Sequence, residues 1–312
     1  MLKVSVIIST YNRSSYVCEA IDSVLRQDFK DFEIIVVDDG STDATKEALS
    51  KYKNIRYIYQ ENKGRSEARN AGIKAARAEY VAFLDDDDIW LEGKLRKQVV
   101  FLDSHPEAGL VHTLSEVVDE GGNVLGKETE KRLNFYKRAI KIGYTYEGMS
   151  RLCSMFLSTV MLRKECFSQV GFFDGNIPAF EDWDFYLRFA LKYKISLIPE
   201  ILVKYKLHKK NTSSNEFIRG RVQTALKHLA MLGSLSCCRR AVVSFNFYMQ
   251  LAETYYIASQ HQNFRHYIFK AIRLRPLLLL RFMVMAHLLI SFLPKKILKK
   301  YLNKIFPGSR DG

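Results

Sequence analysis

Four short apolar segments, separated by stretches with helical periodicity, place the strongest limit on the fold of this chain. They are Val4–Ile8, Glu33–Val37, Ile55–Tyr59 and Tyr80–Leu84. The helices predicted between them cover Ser14–Arg26, a short segment capped by Thr42 or Asp43 and ending at Leu49, and Ser66–Arg77. Continuous β-branched strands joined by helices are typical of a parallel sheet that is covered on both faces. We therefore predict an α/β fold with a mostly parallel sheet flanked by helices.

The rest of the chain divides into two further regions. The pattern weakens over His105–Met149, where Gly121–Asn123 predicts a hairpin turn, and we expect loop-rich structure facing a substrate. Order returns with a strand at Phe156–Leu162, a helix at Trp183–Lys192 and a strand at Ile201–Lys206, and helices follow from about Asn215. With 312 residues, 47% of them hydrophobic, the chain is long enough for one large domain and an accessory region. We place the domains at residues 1–215 and 216–312.

The formal net charge of +14 is concentrated at one end of the chain. Residues 254–310 contain eleven Lys or Arg and no Asp or Glu, so the remainder is nearly balanced. A basic excess confined to an apolar-rich terminus favours an anionic membrane surface over nucleic acid as the partner. The five cysteines show neither zinc nor disulfide spacing and no signal peptide is recognisable, so we expect a reduced, cytoplasmic environment.

Four consecutive carboxylates, Asp85–Asp88, follow the fourth apolar strand directly. Like charges beside a buried strand cost stability unless something compensates them. Mn²⁺ and Mg²⁺ take oxygen ligands and often bridge to substrate phosphates. Aspartates also form turns and cap helices, but a run of four at this place favours a metal site.

Other polar residues are expected near the same edge of the sheet. Thr10–Asn12 and Asp38–Asp39 also follow strands, and ligands of parallel sheets bind beyond the carboxyl ends of the strands. Asp39 is suited either to a turn or to hydrogen bonds with a nucleoside, and Tyr11 either to packing or to stacking on a base. Arg69 lies in a helix that opens at Gly64, where arginine and the helix terminus both favour a diphosphate, although the segment alone is typical of an ordinary amphipathic helix with exposed arginines.

Two further segments carry groups suited to catalysis. Glu181 and Asp182 stand at a helix start, where the helix dipole alone can explain them, but a carboxylate there can also remove a proton from a hydroxyl. A single histidine is usually a surface or core residue, but His208 directly follows a strand, as the aspartates do, and this position raises the case for a metal ligand.

Taken in order, these segments resemble a family 2 glycosyltransferase of the GT-A fold, with its Rossmann-like sheet. The matching pieces are Val4–Arg13, Glu33–Asp43, Gly64–Gly72, Phe83–Trp90, Gly171–Arg188 and Tyr205–Ser213. The resemblance covers roughly residues 3–215 and implies an inverting transfer of a sugar from a nucleotide-diphosphate donor, with a UDP-sugar expected, to an acceptor hydroxyl.

The resemblance also implies roles for individual residues. Asp85 and Asp87 would hold Mn²⁺ or Mg²⁺ on the diphosphate with His208, and Asp182 would be the general base. The donor would be bound by Thr10, Tyr11, Arg13, Asp39, Arg69 and Asp86. Because Asp86 and Asp88 are also acidic, the metal ligands could shift by one residue, and Glu181 could replace Asp182.

The C-terminal tail completes the prediction. Leu277–Leu293 is too short and too charged for a transmembrane helix, and beyond Pro294 five lysines oppose an apolar stripe in a basic amphipathic helix. We expect a protein peripheral on the inner face of the cell membrane, with a glycan or lipid-linked saccharide as acceptor. The tail could instead dock on protein. A nucleotidyltransferase and a degenerate sugar-nucleotide binding protein are the alternative functions.

Overall fold

The computed structural model describes residues 2–208 and 214–276. The chain separates into two compact units, residues 1–220 and 221–312, and the predicted domain boundary at 215–216 falls in the first turn of α9. The strands are β1 (Val4–Thr10), β2 (Phe32–Asp38), β3 (Ile55–Tyr59), β4 (Tyr80–Asp85), β5 (Ile89–Trp90), β6 (Ala108–Val118), β7 (Val160–Arg163) and β8 (Lys194–Lys206). The helices are α1 (Ser14–Leu25), α2 (Thr45–Ser50), α3 (Arg65–Ala75), α4 (Lys94–Ser104), α5 (Gly126–Ile142), α6 (Tyr146–Arg151), α7 (Phe167–Val170), α8 (Glu181–Ala190), α9 (Ser214–Ala230), α10 (Cys237–Ile257) and α11 (His261–Leu274).

The first unit is built on one eight-stranded sheet in the order β3-β2-β1-β4-β7-β6-β8-β5. Strands β3, β2, β1 and β4 are parallel, β7 is antiparallel to both of its neighbours, and β6 pairs parallel with β8. Apolar residues of the first strands pack with α1 and α4 in one core. This confirms the predicted α/β fold with flanking helices.

The register of the central strands brings their polar ends to one level. Thr10 pairs with Asp38, and Ser9 pairs with Asp85. The chain therefore leaves three neighbouring strands at the same edge of the sheet, which confirms the predicted convergence of these segments.

The prediction of loop-rich structure over His105–Met149 is wrong. This region contains the eleven-residue strand β6 and helices α5 and α6. Strand β6 buries the polar residues His112, Thr113 and Ser115, so its sequence lacks the apolar run that marks β1, β2 and β4. The turn predicted at Gly121–Asn123 is confirmed: Gly122 has a φ of +82°, and the turn joins Val118 to Val124.

Several predicted boundaries also differ. The strand predicted at Phe156–Leu162 begins only at Val160, after a 3-10 turn at Leu157–Thr159. Strand β8 begins at Lys194 rather than Ile201, and α8 begins at Glu181. Both acidic residues of the predicted catalytic segment thus lie in the first turn of α8.

In the second unit, α10 and α11 pack along each other through a small apolar cluster that includes Ala252, Phe264 and Ile268. The helices predicted from Asn215 onward are confirmed as far as α11. The predicted amphipathic tail at residues 277–312 lies outside the described residues. Within the described part of the chain, no helix combines the length and apolar character needed to cross a membrane.

Candidate active site

A cleft of about 740 Å³ lies at the edge of the sheet where β1, β2 and β4 end. Eight of the residues predicted for the site line it: Thr10, Tyr11, Arg13, Asp39, Arg69, Asp85, Asp86 and Asp87. Residues distant in sequence meet there: the hydroxyl of Thr10 donates a hydrogen bond of 2.7 Å to Asp86, 76 residues further along the chain.

Asp39 organises one wall of this cleft. Its carboxylate accepts hydrogen bonds from the side-chain amide of Gln60 and from the backbone N–H groups of Lys63 and Gly64, at 2.7 to 2.9 Å. Gly64 has a φ of +87°, a conformation that glycine adopts without steric cost. Asp39 is 4% exposed and fixes the loop that leads into α3. Its predicted contact with a nucleoside stays a prediction.

The four aspartates point to four different sets of partners. Asp86 contacts Thr10 and Arg13, and its pKa is raised to about 7 by burial and by the neighbouring Asp87. Asp88 is turned inward, where it accepts hydrogen bonds from the hydroxyl of Ser158 at 2.6 Å and the backbone N–H of Lys206 at 3.2 Å. Asp88 is thus an anchor that ties the acidic loop to the end of β8.

Asp87 and His208 are in direct contact. Nε2 of His208 lies 2.6 Å from Oδ2 of Asp87, and Arg13 contacts the same oxygen. The imidazole is stacked on Tyr16 with 5.8 Å between ring centroids. The structure therefore brings together two of the three residues that were predicted to hold a metal.

Asp85 instead faces Arg69. Nη2 of this buried arginine donates a hydrogen bond of 2.8 Å to Asp85, and its Nη1 contacts Glu181. Arg69 therefore links the acidic loop at the end of β4 to the first turn of α8. Its predicted contact with donor phosphates stays a prediction.

Asp182 and Glu181 occupy different environments although they are adjacent. Glu181 is 3% exposed and paired with Arg69. The carboxylate of Asp182 instead accepts a hydrogen bond of 2.7 Å from the backbone N–H of Trp183. Burial and the charge of Glu181 raise the pKa of Asp182 to about 7, against an opposing effect of Arg69. A carboxyl group of this kind gains and loses a proton near neutral pH.

Ser158 is a site residue that the sequence interpretation missed. Its hydroxyl accepts a hydrogen bond of 3.0 Å from the N–H of Asp85 and donates to Asp88, so it holds both ends of the acidic loop. A polar residue inside the apolar run Met155–Leu162 was the available signal.

The side chains present are partly suited to a divalent cation. Carboxylate oxygens and an imidazole nitrogen are donors that Mn²⁺ accepts, and Asp87 and His208 offer both. Within residues 2–208 and 214–276, however, no three His, Cys, Asp or Glu side chains converge on one metal position, because Asp85 is directed to Arg69.

Comparison with known proteins identifies the family of the chain. Residues 5–162 match the model of glycosyl transferase family 2. The chain belongs to this family. YwdF of Bacillus subtilis, described as an uncharacterized glycosyltransferase, is 32% identical to this family 2 glycosyltransferase over 207 residues, which are 65% of this chain and 74% of the relative. A glycosyltransferase of Rickettsia felis is 36% identical over 66% of this chain, but the match spans only a third of that relative's length.

Solved structures share the GT-A fold of the chain. Residues 1–349 of TarS from S. aureus superpose with a TM-score of 0.67 at 22% identity, covering 97% of this chain and 92% of theirs. The mannosyltransferase PcManGT from Pyrobaculum calidifontis superposes with a TM-score of 0.60 at 18% identity, covering 98% of this chain and 88% of its own.

Proposed function

We propose that this family 2 glycosyltransferase transfers a sugar from a nucleotide-diphosphate donor, a UDP-sugar, to an acceptor hydroxyl with inversion at the sugar carbon. One observation carries the proposal: Arg69 joins Asp85 of the acidic loop to Glu181, the neighbour of Asp182. A loop suited to a metal–diphosphate group and a carboxyl suited to proton transfer are therefore held on either side of one guanidinium.

The donor would lie in the cleft beyond β1, β2 and β4. Thr10, Tyr11 and Asp39 are proposed to hold the nucleoside, while Arg13, Arg69 and Asp86 act on the diphosphate side. TarS has been solved with UDP and with UDP-GlcNAc, and PcManGT with GDP-Man and Mn²⁺. Those complexes support a nucleotide-sugar and a divalent cation as the ligands to test first.

Asp87 and His208 would hold Mn²⁺ or Mg²⁺, and Asp85, which contacts Arg69 in this structure, would have to leave that contact to act as the third ligand. A divalent cation there supplies positive charge that offsets the charge of the departing diphosphate. Arg13 and Arg69 place two guanidinium groups against these carboxylates and orient the loop.

Asp182 is proposed as the general base. It would accept the proton of the acceptor hydroxyl as that oxygen bonds to the sugar carbon, and the bond from that carbon to the diphosphate breaks. A single displacement of this kind inverts the configuration. Glu181 is less suited to this role because its carboxylate is buried and paired with Arg69.

The acceptor is proposed to be a lipid-linked glycan of cell-surface polysaccharide synthesis, such as O-antigen, capsule or exopolysaccharide. The protein would work in the cytoplasm, with residues 1–215 as the catalytic domain and residues 216–312 bringing it to the inner face of the membrane. Eleven basic and no acidic residues at 254–310 support this placement. Replacing Lys295, Lys296, Lys299 and Lys300 by Gln should abolish cosedimentation with anionic vesicles, and unchanged cosedimentation would contradict the membrane role.

The test of the function is a panel of nucleotide sugars, each with Mn²⁺, Mg²⁺ or EDTA. We expect one UDP-sugar to raise the melting temperature and to be hydrolysed slowly only when the metal is present. Binding without hydrolysis or transfer would instead favour a sugar-nucleotide binding protein. The absence of both would contradict the proposal.

A further inference from the structure

Arg132, on α5, is a largely buried cation without a carboxylate partner among the residues that the structure describes. Its Nη1 donates a hydrogen bond of 3.0 Å to the hydroxyl of Ser115, which in turn lies 3.1 Å from the hydroxyl of Tyr136. Burial lowers the pKa of Arg132. By contrast, the buried Arg69 contacts two carboxylates and Arg188 contacts Asp184.

Two aromatic rings enclose the guanidinium. Its central carbon lies 3.8 Å from the centroid of the Phe156 ring and 3.9 Å from that of Tyr205. Cation–π contacts of this kind stabilise a desolvated guanidinium and hold its plane in place. They do not supply a negative charge, and burying a cation without one is costly.

Arg132 is one residue removed from the cleft: Tyr205, whose ring covers one face of the guanidinium, is itself a lining residue. Of the nearby carboxylates, Asp88 is the one whose charge acts on Arg132, but both oxygens of Asp88 are bonded to Ser158 and Lys206. The guanidinium has five N–H donors, and the hydroxyls of Ser115 and Tyr205 engage only some of them. Donors therefore remain that an oxyanion could accept from.

The position of Arg132 separates it from the proposed nucleoside residues. Asp39 follows β2, whereas the contacts of Arg132 are on β6 and β8, across β1, β4 and β7 in the sheet. In the proposed reaction this separation favours a group of the acceptor over the nucleoside of the donor as the ligand of Arg132.

We infer that Arg132 binds an oxyanion of the acceptor, a phosphate or a carboxylate, and so selects acidic acceptors. This inference rests on the proposed function. Phe156 and Tyr205 hold the plane of the guanidinium in place, and Ser115 accepts a hydrogen bond from its Nη1. Arg132 lies within residues 105–149, where the sequence pattern predicted neither strand β6 nor helix α5.

The test is calorimetric titration of the full chain, saturated with UDP and Mn²⁺, with inorganic phosphate, glucuronate or neutral glucose. The variants are R132M, which removes the charge at similar size, R132K, which keeps the charge without the guanidinium, and R138M, which changes an exposed arginine of the same helix. We expect phosphate or glucuronate, but not glucose, to bind the unchanged protein and R138M. The dissociation constant should rise about tenfold or more in R132M, and less in R132K.

Which of the two anions binds identifies the source of the oxyanion, a phosphate group or an acidic sugar. Equal anion affinity in all variants would overturn the inference, and so would a loss of UDP affinity in R132M, which would place Arg132 in the donor site. If R132M does not fold, R132K provides the comparison. If UDP binds to none of the proteins, the proposed function fails, while anion titration without UDP still tests Arg132.

Discussion

The charged residues in and near the cleft fall into two groups that differ in how they are paired. On the side of β1, β2 and β4, most polar groups bond to one another: Asp86 to Thr10 and Arg13, and Asp39 to the loop before α3. On α5 and α8, which supply no residue to the lining of the cleft, Asp182 has no basic hydrogen-bond partner in the described chain and Arg132 no acidic one. The polar groups at the ends of β1, β2 and β4 are thus paired with one another, whereas Asp182 and Arg132 lack a hydrogen-bond partner of opposite charge among the described residues, which leaves them available for the roles proposed above.

Removing a proposed metal ligand at the end of β4 should have a large effect on turnover. We expect Asp87→Asn to lower metal-dependent donor turnover on the order of 10³-fold, because a bound metal contributes several kcal/mol. Turnover should be measured across a Mn²⁺ titration, with the exposed Asp31→Asn as the matched control. Unchanged turnover and Mn²⁺ response in Asp87→Asn would show that Asp87 holds no metal.

Breaking the contact of Arg69 with Glu181, which links α8 to the acidic loop, should lower the free energy of unfolding. Glu181→Gln leaves Arg69 with one carboxylate, and removing one partner of a buried ion pair costs about 3 kcal/mol. Chemical unfolding should show this loss, and the exposed Glu120→Gln is the control. If Glu181→Gln retains full stability but loses transfer completely, Glu181 rather than Asp182 is the base.

The pH dependence should report Asp182. With its pKa at about 7, the base is increasingly protonated below pH 7, so kcat/KM should fall about tenfold per pH unit there. Because the folded-state pKa lies above the ordinary value of 3.8, the contribution of Asp182 to stability is present at low pH and is lost as the pH rises from about 4 to 7.

Comparing unfolding curves of the unchanged protein and Asp182→Asn isolates this contribution from other groups. The charged groups that act on Asp182 are Glu181, Arg69 and Asp85. The neighbouring thiol of Cys153 stays protonated in this range, since burial raises its pKa to about 12. Parallel stability curves for the two proteins between pH 4 and 7 would contradict the shifted pKa.

Ser158→Ala should have the smallest effect. It removes the hydroxyl that bonds to both ends of the acidic loop, and losing such a hydrogen bond costs about 1 kcal/mol. We also expect the Mn²⁺ concentration for half-maximal turnover to rise, which a purely structural loss would not cause. The exposed Ser168→Ala should change neither quantity.

The same comparison explains what the sequence could predict. Strands β1, β2 and β4 were predictable because each buries a mostly apolar run, and Thr10, Asp39 and Asp85 were placed together because parallel strands end at one edge. Strand β6 and helix α5 were missed because β6 buries His112, Thr113 and Ser115, which hide its apolar face. Arg132 lies in that missed region.

The partners of individual side chains were also beyond prediction. Arg69 and Glu181 are 112 residues apart, and no local pattern indicates that they pair. The orientation of the side chains of Asp85–Asp88 depends on the turn that they form. Ser158, which lies just before β7, holds this turn through hydrogen bonds to Asp85 and Asp88. Only the assembled sheet brings these residues together.

The central claim is that Asp182 acts in proton transfer and Glu181 in structure. The most direct test measures UDP-sugar affinity and transfer rate for Asp182→Asn in the same preparation. We predict donor affinity within about twofold of the unchanged protein and a transfer rate lower by roughly 10²–10⁴-fold. Loss of donor binding, or transfer at the unchanged rate, would contradict the account.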